Sequence, residues 1–305
     1  ILTAGSLAAQ SPSSAYIVTR LGVDTVAIER YIRSNGKLEG DLVLRYPRTR
    51  TFHYVADLGS RGEVKSLTTT VQRPGADQAA PPIMQSVARF SDSVAFTSTF
   101  FPNWTEVARV DSRGRIEGVN STATTVKTMA ERVPSIDFDN VVKAWAAIDA
   151  AKGGAIGQMS PPDTTKATIG AATIQVAYSR PLKRGRVIFG NIVPWNQVWR
   201  TGANAATQFT TDRDLVFGGT VVPAGKYTLW TLPTPTGAKL IINSETGQWG
   251  TDYHAEKDFA RVDLTSNRLS TPVEQFVIGL APQGSGGVLR LAWDDREYLI
   301  PFTVK

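Results

Sequence analysis

Residues 199–204, with the sequence WRTGAN, place an aromatic ring, a guanidinium, a glycine and an amide within six positions. A guanidinium presents its N–H donors in a planar fork that matches the oxygens of a carboxylate or a phosphate. We therefore treat Arg200 and Asn204, with Arg180 and Arg186 from preceding segments, as candidate ligands for an anionic group. These four side chains predict a site for a carboxylate, a phosphate or an anionic glycan.

A structural reading explains the same six residues. Trp199 packs in the core, Gly202 turns with a positive φ, and Asn204 caps the loop backbone through its side chain. The arginines then donate to backbone carbonyls that the turn leaves unpaired. This reading is favoured because no nucleophile, general base or metal set accompanies the cations in the sequence.

Histidine is the usual general base near neutral pH, and the chain contains only two. His53 lies in a strand-like run, which predicts a residue on the face of a strand. Asp252, His254 and Glu256 alternate along the sequence, so an extended backbone would place them on one face. One imidazole and two carboxylates then form a candidate metal site. The alternative is a solvated strand or loop.

Other signatures of catalysis fail in the sequence. The absence of cysteine excludes thiolate catalysis, and no Gly-x-Ser-x-Gly elbow occurs. The Gly225-Lys226 pair is followed by Tyr227, where a phosphate loop requires serine or threonine. Asp294-Asp295 is either a paired acid or, more simply, a hairpin turn. The sequence therefore predicts no catalytic residue and no cofactor.

Five tryptophans in the second half of the chain form another candidate surface. An aromatic platform could stack sugars, whereas large rings also fill the cores of small β domains. The core reading is favoured. The five are Trp195, Trp199, Trp230, Trp249 and Trp293.

The length of 305 residues predicts two domains, each long enough to bury its own core. The net charge of +6 is small for this length, and the basic residues are scattered, which argues against a nucleic-acid partner. No segment approaches the length of a transmembrane span. Residues 1–14 run from apolar through small to polar residues, as in a signal remnant or an N-terminal tail. This pattern predicts export.

The order of predicted elements indicates a mainly β chain with two antiparallel β domains joined by a helix and a linker. Residues 15–130 predict a curved meander or half-barrel, with a hairpin at Asn35-Gly36. Residues 131–164 predict the helix and the linker. Residues 165–305 predict a β-sandwich or a Greek-key barrel.

The predicted helix lies in the sequence SIDFDNVVKAWAAIDAAKGG. Ser135 or Asp137 caps its start, and Gly153-Gly154 ends it. Its predicted apolar face consists of Val141, Ala144, Trp145 and Ile148.

Ordered motifs in the second half closely resemble a bacterial family known as domain of unknown function 2911. The match covers about residues 165–305 and implies an exported, β-rich module with no assigned reaction. Family members often carry an acid where this chain has Ala205, so an activity that depends on that acid would be lost here. The motifs are YSRP (178–181), GRVIFGNIVPWNQVWRTGANAAT (185–207), VPAGKYTLWTLP (222–233), IIN (241–243) and GQWG (247–250).

The meander in residues 15–125 looks like the curved antiparallel sheet of periplasmic lipoprotein-carrier folds. This second resemblance implies the half-barrel shape and assigns no residue a role.

Three functions follow as hypotheses. The first is a non-catalytic, periplasmic or extracellular binding or scaffolding protein, whose partners are other protein chains. One form of it is an accessory subunit at the periplasmic face of an electron-transfer or photosynthetic membrane complex. The second is a hydrolase or binder acting on an anionic or carbohydrate ligand. The third is a carrier of a lipid or another hydrophobic ligand, with the N-terminal sheet as its half-barrel.

Overall fold

The chain forms two compact units, residues 1–158 and residues 159–305, which are described separately below. Both are built from antiparallel strands, as the sequence predicts. The computed structural model describes residues 13–34, 36–46, 49–59, 64–73, 76–79, 85–89, 93–98, 105–111, 115–122, 127–152 and 156–305.

The N-terminal unit contains an eleven-stranded sheet with the order β6-β5-β4-β3-β2-β1-β11-β10-β9-β8-β7. The predicted meander is confirmed, and its last strand extends past residue 130 into the segment assigned to the helix and linker. The strands are Ser13–Leu21 (β1), Asp24–Ser34 (β2), Lys37–Leu44 (β3), Arg50–Leu58 (β4), Val64–Arg73 (β5), Ala76–Ala79 (β6), Gln85–Arg89 (β7), Ser93–Ser98 (β8), Thr105–Val110 (β9), Ile116–Asn120 (β10) and Met129–Val133 (β11).

The chain connection between β6 and β7 requires this sheet to curl. The two strands are consecutive in the sequence but lie at opposite edges of the sheet. Six residue steps from Ala79 to Gln85 span at most about 22 Å. The edges of a flat sheet of eleven strands would lie about 48 Å apart. The sheet is therefore bent into a half-barrel, as predicted.

Both faces of the sheet are covered at β2. Val26, Ala27 and Ile28 are all buried, although successive side chains of a strand point to opposite faces. One helix, Phe138–Lys152 (α1), packs Phe138 and Trp145 against the face that carries Ile28. We call this the outer face. Ala27 is buried on the opposite face without contact to α1, and we call that face the inner face.

The start of α1 agrees with the sequence prediction. The Asp137 carboxylate accepts hydrogen bonds from the backbone N–H of Asn140 at 3.4 Å and from its side-chain amide at 2.6 Å. Asp137 therefore caps the helix. The helix ends at Lys152, and the predicted stop at Gly153-Gly154 lies outside the described residues.

The predicted apolar face of α1 is partly wrong. Val141 and Trp145 pack on the sheet, but Ala144 and Ile148 are exposed, and Val142 takes part in the contact instead. The reason lies at the end of the helix. Asp149 pairs with Arg45, the residue that directly follows β3. This contact turns Ile148 away from the sheet.

The C-terminal unit contains a nine-stranded antiparallel sheet with the order β12-β13-β14-β17-β18-β19-β20-β15-β16. Its strands are Pro162–Ile169 (β12), Ala172–Ser179 (β13), Thr207–Thr211 (β14), Leu215–Phe217 (β15), Thr220–Val222 (β16), Gly225–Pro233 (β17), Ala238–Asn243 (β18), Asp258–Gln283 (β19) and Gly286–Val304 (β20).

This second sheet folds back on itself around one apolar core. The phenol oxygen of Tyr178 on β13 accepts a hydrogen bond from the backbone N–H of Ile278 on β19 at 2.9 Å. Thr165 Oγ1 on β12 donates to the carbonyl of the same residue at 2.6 Å. Strands from distant positions in the sheet order thus face each other, as expected of a sandwich.

Two features of this unit differ from the sequence predictions. Strand β12 begins at Pro162, within the predicted linker, and it is an edge strand, where the missing N–H of proline costs no ladder bond. The predicted hairpin turn at Asp294-Asp295 is wrong, because β20 runs through both residues. Asp294 instead has a φ of +51° at an irregularity in the pairing of β19 with β20.

Candidate functional site

The Trp199 side chain belongs to the core of the C-terminal unit. Its ring centroid lies 5.1 Å from that of Phe276 in an edge-to-face contact. It also stacks on Trp293, with ring centroids 5.9 Å apart. Of the other tryptophans, Trp230 is buried and Trp249 is exposed. The rings therefore do not form the continuous platform that stacking on sugars requires.

Arg180 and Arg186 donate to nearby backbone carbonyls. Arg180 Nε donates to the carbonyl of Phe276 at 3.0 Å, and its Nη1 lies 3.1 Å from Asp163 Oδ2. Arg186 Nε donates to the carbonyl of Lys183 at 3.0 Å. Burial lowers the pKa of the Arg186 guanidinium. These contacts match the structural reading of the cations.

Arg200 and Asn204 brace the loop between them. Arg200 Nη1 donates to the carbonyl of Asn204 at 3.4 Å, and burial lowers the pKa of the Arg200 guanidinium. The aliphatic part of the Arg200 side chain packs against Gly250, and a Cβ at position 250 would overlap with it. The Asn204 amide donates to the carbonyl of Ser160 at 3.3 Å and to Ser179 Oγ at 3.2 Å. A ligand role for the four predicted residues stays a prediction.

The backbone around His254 does not support the predicted metal site. Residues Ala255–Lys257 form a single 3-10 turn, so Asp252, His254 and Glu256 do not share the face of an extended strand. His254 Nδ1 instead lies 2.7 Å from Glu245 Oε2. In the described part of the chain, no group of three histidine or acidic side chains could hold a metal ion.

We expect the pKa of His254 to lie above its ordinary value of 6.5, because its imidazole hydrogen-bonds to the Glu245 carboxylate. A raised folded-state pKa stabilises the protein below 6.5, and this contribution is lost as the pH rises through the folded-state value. NMR titration of His254 measures the shift. Glu245→Gln should return the pKa towards 6.5, and Glu256→Gln, a more remote charge, should change it less. An unchanged value in Glu245→Gln contradicts the assignment.

A row of polar residues crosses the outer face of the N-terminal sheet. Strand pairing places Tyr16, Arg30, Asp41 and His53 side by side on β1 to β4. They line a cleft of about 490 Å³. His53 Nδ1 lies 2.9 Å from Asp41 Oδ1, and Arg30 Nε donates to Asp41 Oδ2 at 2.9 Å. Burial raises the pKa of Asp41, but the bonds from His53 and Arg30 outweigh it and lower the pKa overall.

The serines that line this cleft lie far from its oriented imidazole. Two serines line the cleft. Ser14 is on β1, three strands or about 14 Å from His53 on β4. Ser34 pairs with Lys37, four positions or about 13 Å along β3 from Asp41. Neither serine can therefore form a catalytic pair with His53.

The inner face carries a second polar group that the sequence analysis missed. The Tyr54 hydroxyl donates to Glu29 Oε1, and Arg132 Nη2 donates to the Tyr31 hydroxyl at 2.7 Å. Burial raises the pKa of Glu29 and of both phenols. Strands β11, β1 and β2 pair so that Arg132 lies opposite Ile17, and Ile17 opposite Glu29. The four ionisable side chains thus form one cluster on this face.

Gly40 makes the contact between Tyr54 and Glu29 geometrically feasible. Tyr54 is on β4 and Glu29 is on β2, so the phenol must cross β3. A Cβ at Gly40 would lie 2.6 Å from the Tyr54 hydroxyl oxygen. The absence of a side chain at this position therefore admits the tyrosine.

Apolar side chains surround this cluster on the inner face. Leu42 and Phe52 occupy the same cross-strand row as Glu29, and Leu44 occupies the row of Ala27. Leu42, Leu44 and Phe52 are half-buried, and none belongs to a core cluster formed by the described residues. The face therefore presents partly uncovered apolar surface around ionisable groups.

The comparisons with known proteins assign a family to the C-terminal unit. No helix among the described residues has the length and apolar character needed to cross a bilayer. No curated protein and no solved structure matches the chain. Residues 160–302 match the family described as "Protein of unknown function (DUF2911)". The C-terminal unit of this chain is therefore a member of the DUF2911 family.

Proposed function

We propose that this protein is a non-catalytic carrier that holds an apolar ligand against the inner face of its N-terminal half-barrel. One observation carries the proposal: Leu42, Leu44 and Phe52 lie on the inner face and remain partly exposed outside any core cluster of the described residues. Apolar surface left in water costs about 25 cal/mol per Å². A hydrocarbon ligand that covers these side chains recovers that free energy.

The position of α1 supports the inner face as the binding surface. The helix packs on the outer face, where Ile28 and Val43 meet Phe138 and Trp145. It therefore does not cover the apolar side chains of the inner face. The outer face also carries the row of polar side chains that contains Arg30, Asp41 and His53, so it is the less apolar of the two faces at this point.

We further propose that the carrier acts outside the cytoplasm. The composition of residues 1–14 motivates this localisation, although residues 1–12 lie outside the described part of the chain. A carrier must receive and release its ligand, so the predicted partners are other protein chains that exchange the ligand with the half-barrel. A membrane complex that accepts the ligand is one such partner.

Binding of the fluorescent apolar probe N-phenyl-1-naphthylamine to the full chain tests the proposal. We expect Leu42→Gln to weaken probe binding about tenfold, because the polar side chain removes part of the apolar surface that the probe covers. Ile32→Gln is the matched control, since Ile32 lies on the outer face of the neighbouring strand and is 54% exposed. Its binding should be unchanged.

Native mass spectrometry of protein purified from its host provides an independent measurement. The expected result is an added mass that organic extraction removes. A chain without added mass that also fails to bind the probe would rule out the carrier function.

A further inference from the structure

We propose that Arg132 binds the anionic head group of an amphiphile whose hydrocarbon chain lies on the inner face. This inference rests on the carrier function proposed above and names the class of ligand. The head group is a carboxylate or a phosphate, since both match the planar fork of a guanidinium.

The hydrogen bonds of Arg132 hold it in place but leave donors available. Its Nε donates to the carbonyl of Ile116 at 2.8 Å, and its Nη2 donates to the Tyr31 hydroxyl at 2.7 Å. The guanidinium carbon lies 5.8 Å from the centroid of the Tyr31 ring. A guanidinium has five N–H donors, so three of them have no partner among the described residues. Among the described residues, Arg132 forms no ion pair with a carboxylate.

The charges around Tyr31 favour an anion at this position. Burial and the Glu29 carboxylate raise the pKa of the Tyr31 phenol, while the positive charges of Arg132, Arg33 and Arg115 act to lower it. Arg115 is paired with Asp111, whereas Arg33 is exposed at the end of β2. The local potential is therefore positive on the side of Tyr31 where Arg132 lies.

Glu29 is the acidic group that faces this site. Burial raises its pKa, which favours the neutral form, and Tyr54 donates a hydrogen bond to it. The backbones of Glu29 and Arg132 lie two strands or about 10 Å apart. The neutral form of Glu29 does not repel a bound anion, whereas the adjacent guanidinium attracts it.

The apolar side chains lie in the direction that a hydrocarbon tail would take. The cross-strand row that begins at Arg132 continues through Ile17 on β1, Glu29 on β2 and Leu42 on β3 to Phe52 on β4, so the tail also covers the Glu29 carboxyl, whose pKa burial raises. Leu42 is three strands from Arg132, or about 14 Å. A ligand with its head at Arg132 thus places its chain across the partly exposed leucines and phenylalanine.

Three ligands with the same chain test the head-group site: palmitate, hexadecyl phosphate and hexadecanol. We measure how each displaces N-phenyl-1-naphthylamine from the full chain. At least one of the two anions should bind about tenfold more tightly than the alcohol, which is the contribution of a charge-assisted hydrogen bond. Tighter binding of palmitate identifies a carboxylate head, and tighter binding of hexadecyl phosphate identifies a phosphate head.

The variant Arg132→Gln should bring anion binding to within about twofold of alcohol binding and leave alcohol binding unchanged. Arg20→Gln is the matched control, because Arg20 is an exposed arginine of β1 that donates to Thr25. Equal binding of all three ligands by the parent chain would overturn the head-group site while the carrier function stands. Failure of all three to bind would overturn the carrier function itself.

Salt dependence keeps the test decisive if Arg132→Gln does not fold. In the parent chain, binding of the preferred anion should weaken as the salt concentration rises, because mobile ions screen the guanidinium. Binding of hexadecanol should not weaken. Parallel behaviour of the anion and the alcohol would overturn the role of Arg132.

Discussion

Replacing Asp149 with alanine is expected to lower the free energy of unfolding of the N-terminal unit by about 3 kcal/mol. Arg45 Nη2 donates to Asp149 Oδ1 at 3.0 Å, and the two side chains are only 11% and 14% exposed. The same carboxylate accepts a hydrogen bond from Thr49. Without it, the guanidinium stays buried over the ring of Trp145 and has no counter-charge in the part of the chain that the structure describes. The substitution should therefore detach the end of α1 from the sheet.

Urea unfolding of the full chain, combined with hydrogen exchange of residues 138–152, measures this effect. Asp139→Ala is the matched control on the same helix. Its carboxylate lies 3.2 Å from Arg30, but the Arg30 and Asp139 side chains are 39% and 72% exposed. Such a pair contributes less than about 1 kcal/mol. Equal destabilisation by the two variants would mean that the Arg45–Asp149 pair does not anchor the helix.

Trp293→Ala is expected to destabilise the C-terminal unit by about 3 to 5 kcal/mol. The ring is 1% exposed and stacks on Trp199. Its Nε1 donates to the carbonyl of Glu274 at 3.2 Å, so the substitution also leaves that carbonyl without this donor. The cavity would open beside Phe276, whose ring lies 6.1 Å away.

Trp249→Ala separates this effect from a general sensitivity to removal of a tryptophan. The Trp249 residue is 46% exposed, so its replacement should cost less than about 1 kcal/mol. Guanidinium chloride unfolding followed by near-ultraviolet circular dichroism reports on the aromatic core. The placement of Trp293 in that core is refuted if the two variants are destabilised equally.

Local sequence signals predicted the hairpin between β2 and β3 well. The Asn35-Gly36 pair predicted a tight turn, and β2 ends at Ser34 while β3 begins at Lys37. Gly36 has a φ of +73°, which glycine adopts without steric cost, and Asn35 lies outside the described residues. A two-residue turn fixes the register of its strands, so the sequence also indicates which residues share a face.

Sequence reasoning failed where a residue's meaning depends on its place in the sheet. Pro162 is typical of a linker, but it begins a strand because that strand lies at an edge. Asp294 is typical of a turn, but the long strand β20 continues through it at an irregularity of pairing. Edge position and bulges are properties of the assembled sheet, and a single segment does not encode them.

The inner-face cluster could not be predicted for a related reason. Glu29 and Arg132 are more than a hundred positions apart, and only the pairing of β1 with β11 brings them to one face. The local signal was weak but present. Glu29 and Tyr31 continue the alternation that begins at buried Ala27, so a polar side chain occupies an inward position.

The strand order of the N-terminal sheet has a kinetic consequence. Every neighbouring pair of its described strands is consecutive along the chain except β1 and β11, which join Tyr16 to Val133. Each of the two meanders can form by closing short loops, but joining them requires closure of a loop of more than a hundred residues. We expect the pairing of β1 with β11 to form late and to limit the refolding rate of the unit, since pairings distant in sequence form slowly.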